Sequence, residues 1–261
     1  MEEKIRREPF PFDENVVFHE SSFFEKSNAL LYLPAPTEVR ELITRHAPVT
    51  FPSLGLLVKY GTEVTLEEGQ CLLLIRNTLC VSEVVPIPEV YGWCKDDDQV
   101  YIHMELLDSI TLEKSGETMT EGEKTSVGQQ LHDVVNVLRA INQDSWPPFI
   151  SHVGKQPLLD IIFTDNHSPT AYGPSRDVQD ASPPYRSFLP DNVPVIAIIV
   201  DWHQSGWYPD YWKYWKARWT SQIGQEWESK YLPPEISGSL EEKNNLEGCS
   251  ELQYCDFIPT L

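Results

Sequence analysis

An aspartate closing an apolar run, with a histidine two residues on, is the arrangement in this sequence best suited to proton chemistry. Residues 195–200, Val-Ile-Ala-Ile-Ile-Val, lead directly into Asp201, and His203 follows Trp202. A carboxylate just after a buried strand is exposed at that strand's C-terminal end, where it can orient or charge a neighbour. Imidazole is the side chain whose ordinary titration falls near neutral pH, so His203 can act as an acid or a base. Two plainer roles stay open: Asp201 can cap the turn that follows it, and His203 can be a pocket or structural residue.

A second pairing of charge types lies earlier. Lys59 follows the apolar Leu56, Leu57 and Val58, and Glu68 stands in the first turn of the next helical segment. A strand lysine is ordinarily a solvated face, and Thr65-x-x-Glu68 matches a capping box, which would fold the Glu68 carboxylate back onto its own helix terminus. If the helix packs over the strand instead, the opposite charges meet as an ion pair. No glycine-rich phosphate loop precedes Lys59, because Pro52-Ser53-Leu54-Gly55-Leu56 lacks the G-x-G-x-x-G pattern. Nucleophile-elbow, H-E-x-x-H and EF-hand patterns are absent from the sequence as well. The five cysteines, at 71, 80, 94, 249 and 255, show neither a C-x-x-C pair nor zinc-ligand spacing, which suits reduced thiols.

These residues need elements to hold them. Residues 54–60 and 100–107 are apolar, β-branched or aromatic runs of strand length, and residues 67–76 read as a helix between them. The strand, helix, strand order, taken with the family resemblance given below, predicts that the two runs are antiparallel neighbours. The longest predicted helix spans 121–142: Thr120 and Glu123 form a capping box, and Val127, Leu131, Val134, Leu138 and Ile141 recur three and four apart as one buried stripe. The continuous apolar character of 195–200 predicts a strand covered on both faces. Residues 157–194, with Ser182-Pro183-Pro184-Tyr185 at their centre, read as loop broken by short apolar pieces. Trp212, Trp215 and Trp219 fall on one helical face, where core packing outweighs a stacking role.

In outline, residues 1–50 read as an arm with helical pieces, 51–108 as a sheet with one helix, 109–237 as a shortened helical region and 238–261 as a polar tail that frays. A chain of 261 residues with 41% hydrophobic content can bury a sizeable core. Its formal charge of −20 argues against nucleic acid as a partner, since phosphate backbones are bound by clustered Lys and Arg. The N-terminus lacks the apolar core of a signal peptide, and no apolar run reaches membrane-span length, so a soluble, cytoplasmic protein is expected.

From Lys59 to Trp219 the sequence resembles the aminoglycoside phosphotransferase and choline kinase-like family, most closely its filamentous-fungal branch. The resemblance rests on residues 56–61 (LLVKYG), 66–72 (LEEGQCL), 100–106 (VYIHMEL) and, most specifically, 199–212 (IVDWHQSGWYPDYW). It implies an α+β, two-lobed protein kinase-like fold with a reduced C-terminal lobe. It also implies ATP and Mg²⁺ as cofactors, with Lys59 on the nucleotide phosphates, Glu68 holding Lys59, and Met104, Glu105 and Leu106 forming the inter-lobe hinge beside adenine. Asp201 takes the place of the family's magnesium-binding aspartate.

The family's base-bearing loop, a histidine–x–aspartate with an asparagine five residues on, has no counterpart. Residues 189–194 run straight into 195–201, and His132-Asp133 with Asn136 sits inside the predicted 121–142 helix. Loss of a general base typically costs about 10²- to 10⁴-fold in rate, so efficient phosphoryl transfer is disfavoured. Three functions follow as expectations. The first is a small-molecule reaction of specialised metabolism in the inter-lobe cleft, with Asp201 and His203 as catalytic residues. The second is a residual phosphotransferase recruiting an acid such as Asp160 or Asp165, and the third is a non-catalytic binding or interaction protein.

Overall fold

Strand-forming runs in the first half of the chain assemble into one antiparallel sheet. The computed structural model describes residues 11–25, 31–42, 48–79, 85–139, 141, 149–153, 170–171, 194–209 and 255–258. They fall into two units, Met1–Gln70 with Glu89–Leu106, and Cys71–Pro88 with Leu107–Leu261. The first unit holds strands Val16–Val17 (β1), Val49–Phe51 (β2), Leu56–Gly61 (β3), Val90–Asp96 (β4) and Gln99–Glu105 (β5), in the order β1-β4-β5-β3-β2. As the sequence predicts, β3 and β5 are antiparallel neighbours, with Leu56 opposite Glu105 and Gly61 opposite Val100.

The pleat decides what each face of β3 carries. Leu56 and Val58 are fully buried, while Leu57 and Lys59 point to the other face. On the Leu56 side, Phe23, Val39, Val49, Tyr91 and Tyr101 complete a core cluster. Three of these residues come from the stretch that the sequence reads as an arm. Helices Ser22–Glu25 (α1) and Pro36–Glu41 (α2) supply Phe23 and Val39, and β1 and β2 add edge strands to the sheet. On β5, residues Val100 to Met104 are all buried, as befits the central strand.

Close approach at Gly92 lets β1 join the sheet. A Cβ there would lie 2.6 Å from the Val16 carbonyl oxygen and 2.8 Å from a Leu33 methyl. The ladder between β4 and β5 shifts register between Val90 and Gly92, so the glycine sits at a bulge.

Helix Leu66–Thr78 (α3) agrees with the predicted 67–76 segment to within two residues at each end. In the second unit, helices Leu112–Gly116 (α4) and Glu121–Arg139 (α5) are described, the second starting where its capping box predicts. The Thr120 N–H donates to Glu123 Oε2 at 2.7 Å, and the Glu123 N–H donates to Thr120 Oγ1 at 3.3 Å. The Thr120 N–H and the Thr120 hydroxyl, which donates to the same Oε2 at 2.8 Å, hold the Glu123 pKa below its ordinary value. Val127, Val134, Leu138 and Ile141 of the stripe are buried, with Leu131 half-buried at its margin.

A second antiparallel sheet lies in the same unit: Phe149–His152 (β6), Thr170–Ala171 (β7), Gly206–Pro209 (β8) and Cys255–Ile258 (β9), in the order β7-β6-β8-β9. The expected fraying of the tail is thus corrected at residues 255–258, which pair with β8. Their Cys-Asp-Phe-Ile sequence has the length and composition of a short strand. The expected tryptophan face at 212–219 lies outside the described residues, as does the expected loop at 157–194 apart from Pro194 and the short strand β7. The chain is α+β, and no described helix is long and apolar enough to cross a membrane.

Candidate functional site

In the first unit, β3 and the first turn of α3 bring Lys59 and Glu68 together. Lys59 Nζ lies 2.8 Å from each carboxylate oxygen of Glu68. The glutamate side chain is 2% exposed and the lysine side chain 28%. This geometry resolves the choice left open by the sequence. Thr65 Oγ1 makes no hydrogen bond among the described residues, so the reciprocal capping box is not formed, and the Glu68 carboxylate turns to the lysine. A lysine so held is a fixed point charge rather than a solvated, rotating one. That is a suitable arrangement for meeting an anion.

The next three site residues lie at the end of β5. Met104 is buried, opposite Leu57 on β3 and Val90 on β4. The Glu105 N–H donates to the Glu89 carbonyl at 2.9 Å, and the Leu106 N–H donates to the Gly55 carbonyl at 2.9 Å. The backbone N–H groups of two of the three expected hinge residues are therefore engaged within the unit. One residue earlier, His103 is 3% exposed and its Nε2 lies 2.9 Å from the Pro34 carbonyl, so that nitrogen carries the proton. Burial pushes the His103 pKa down, partly countered by the Pro34 and Gly92 carbonyls. Nothing in the sequence marks His103 as buried except its place inside an apolar run.

The second unit holds Asp201 and His203. His203 Nδ1 lies 2.9 Å from Asp201 Oδ1, with side-chain exposures of 30% and 54%. Since a carboxylate only accepts, Nδ1–H is the donor and Nε2 is the ring's remaining nitrogen. Between them Trp202 is fully buried, and its Nε1–H donates to the Ile199 carbonyl at 2.8 Å. The Ser205 N–H closes the turn onto the Trp202 carbonyl at 3.1 Å. Asp201 itself has φ +71°, in the left-handed region that aspartate tolerates better than most residues.

The element expected to present Asp201 is corrected. Residues 195–200 form no strand, and Val195 and Val200 are 53% and 60% exposed. Their backbone groups go elsewhere than to a ladder. The Ile196 N–H donates to Gln130 Oε1 at 2.9 Å, Gln130 Nε2 donates to the Pro194 carbonyl at 2.8 Å, and the Ile199 N–H donates to the Pro86 carbonyl at 2.8 Å. Asp201 is exposed as expected, but from a tethered segment.

His132, Asp133 and Asn136 lie within α5, bonded along the helix: Asn136 Nδ2 is 3.1 Å from His132 Nε2, and His132 Nδ1 is 3.6 Å from Asp133 Oδ1. Asp160 and Asp165 lie outside the described residues. Among the described residues no group of three or more His, Cys, Asp or Glu is placed to enclose a metal ion. A Mg²⁺ ion whose shell is completed by phosphate oxygens and water needs one or two protein carboxylates, and Asp201 is an exposed carboxylate of that kind. Comparison of the chain with protein-family models, with curated proteins and with solved structures gives no match.

Proposed function

We propose that this chain is a kinase-like protein, of the aminoglycoside phosphotransferase and choline kinase type, that has lost efficient phosphoryl transfer and carries out another small-molecule reaction. His203 is the acid–base group of that reaction, and Asp201 orients it. The observation that carries this reading is the 2.9 Å hydrogen bond from His203 to Asp201, with both side chains open to solvent. A carboxylate on one imidazole nitrogen fixes the tautomer and leaves the other nitrogen to exchange a proton with a substrate. The sequence places no histidine–x–aspartate loop or matching asparagine before Asp201, which is why phosphoryl transfer is not the reaction proposed.

The test replaces each member of the pair in the source cell. Asp201→Ala and His203→Ala should each abolish one metabolic conversion, with the precursor accumulating. An unchanged metabolite profile in both variants would reject the pair as the working site and favour a non-catalytic binding protein.

The Lys59–Glu68 pair favours a second reading, residual ATP-dependent phosphotransfer, with Lys59 on the phosphates. Thermal-shift titration with ATP and Mg²⁺ addresses it. A nucleotide at one hundred times its Kd adds about 2.7 kcal/mol of stability, and Lys59→Met should remove that shift. Turnover of an alcohol near the enzyme median of about 10 s⁻¹, abolished by Asp201→Asn, would make phosphoryl transfer the function.

A further inference from the structure

Residues 195–200 have the composition of a strand and end in a solvent-facing Asp201, yet among the described residues no strand pairs with them. What occupies the ladder positions is one side chain. The Gln130 amide accepts from the Ile196 N–H at 2.9 Å and donates to the Pro194 carbonyl at 2.8 Å. Those backbone groups belong to residues two apart, flanking Val195, and a parallel strand would engage the same two groups with the backbone of a single residue. The amide orientation is fixed by the chemistry, since only one of its two flips places oxygen toward an N–H and nitrogen toward a carbonyl. Gln130 thus acts as a partner strand one residue long, mounted on the nineteen-residue helix α5.

The tether lies upstream of the pair, and the chain between them is held at further points. Ile199 is bonded to Pro86, and its carbonyl receives the buried Trp202 ring N–H. Asp201 is fixed between these anchors in its left-handed conformation, and His203 follows in the turn closed by Ser205. We infer that Gln130 is a positioning residue for the Asp201–His203 pair, setting the path by which the chain delivers the carboxylate to the imidazole. This inference rests on the reading that the pair does the chemistry.

The experiment is NMR of the full chain, which needs no substrate. It reads amide exchange at Ile196 and the His203 ring-nitrogen resonances, with Asp201→Asn as the spectral reference for a lost carboxylate partner. Gln130→Leu keeps the side chain's bulk and removes both bonds. Ile196 should exchange about tenfold faster, as expected for loss of one net hydrogen bond. The His203 resonances should move toward those of the Asp201→Asn reference while the thermal midpoint stays near that of the wild type. His203 resonances unchanged from wild type, whether or not Ile196 loses protection, would overturn the inference and leave Gln130 as a local tether at most. If Gln130→Leu does not fold, Gln130→Asn, one methylene too short to span both groups, is read by the same two signals. Unchanged cellular metabolism in Asp201→Ala and His203→Ala would reject the catalytic reading without touching the positional result.

Discussion

Removing one partner of the Lys59–Glu68 pair should hurt the fold unequally, depending on which partner goes. The glutamate side chain is 2% exposed, whereas the lysine keeps 28%. Lys59→Met strands a buried carboxylate, and breaking a buried pair in that way costs about 3–5 kcal/mol. Glu68→Gln leaves an ammonium that can turn its partly exposed end to water, so its cost falls to about 1.5–3 kcal/mol, the range for a hydrogen bond to a charged group. Lys59→Met/Glu68→Gln removes both charges and should recover much of the loss, because replacing a buried pair as a whole is often close to neutral. At about 2–4 °C per kcal/mol for a chain of this size, Lys59→Met lowers the thermal midpoint by roughly 6–20 °C. Urea denaturation of the four proteins gives the full cycle. Equal costs for the two single variants, or effects that add to within about 0.5 kcal/mol, would refute the argument that a desolvated carboxylate depends on the lysine.

Two further outcomes follow from the first unit, one with an internal control in the second. Gly92→Ala drives a Cβ to within 2.6 Å of the Val16 backbone carbonyl, which cannot swing aside as a side chain can, and should cost about 1–3 kcal/mol by overpacking; Gly122→Ala, in open space on α5, should instead stabilise by up to about 1 kcal/mol through helix propensity, and equal urea midpoints for the two would contradict the close approach. The buried His103, with its pKa lowered in the folded state, binds a proton more readily when unfolded, so stability is retained above the unfolded value of about 6.5 and lost as pH falls from there toward the folded value, by at most about 1.4 kcal/mol per pH unit. His103→Gln should flatten that part of the stability–pH curve, and a slope identical to wild type below pH of about 6.5 would show that His103 does not titrate on unfolding.

Local patterns were legible where one residue's neighbours in sequence are also its neighbours in space. The capping box at Thr120 and Glu123 and the stripe of α5 depend on such short-range chemistry and on one buried face, and each is found as read; the pairing of β3 with β5, whose partners are far apart in sequence, was legible instead as two apolar runs of strand length. Thr65-x-x-Glu68 has the same signature as Thr120-x-x-Glu123 but does not form the same structure. The difference is Lys59, nine residues earlier, whose ammonium gives the carboxylate a stronger partner than a backbone N–H. A motif that is complete in itself can thus be overruled by a charge that only the fold brings near. For the same reason β1, β2 and β9 left little trace, since strands of two to four residues contain too few positions to show a period.

The site around Asp201 shows the limit of hydrophobicity as a guide. A continuous apolar run states that burial would be favourable, but it says nothing about what will accept the backbone hydrogen bonds, and a strand requires both. Here the acceptors and donors come from Gln130 and Pro86, and Val195 and Val200 remain open to solvent despite their side chains. A glutamine within a helix gives no sequence signal of this role, because its partners lie 64 and 66 residues away. The consequence for chemistry is that a ladder would have set the position of Asp201 through many equivalent bonds, whereas a few separate tethers make its position sensitive to single substitutions far from it in sequence.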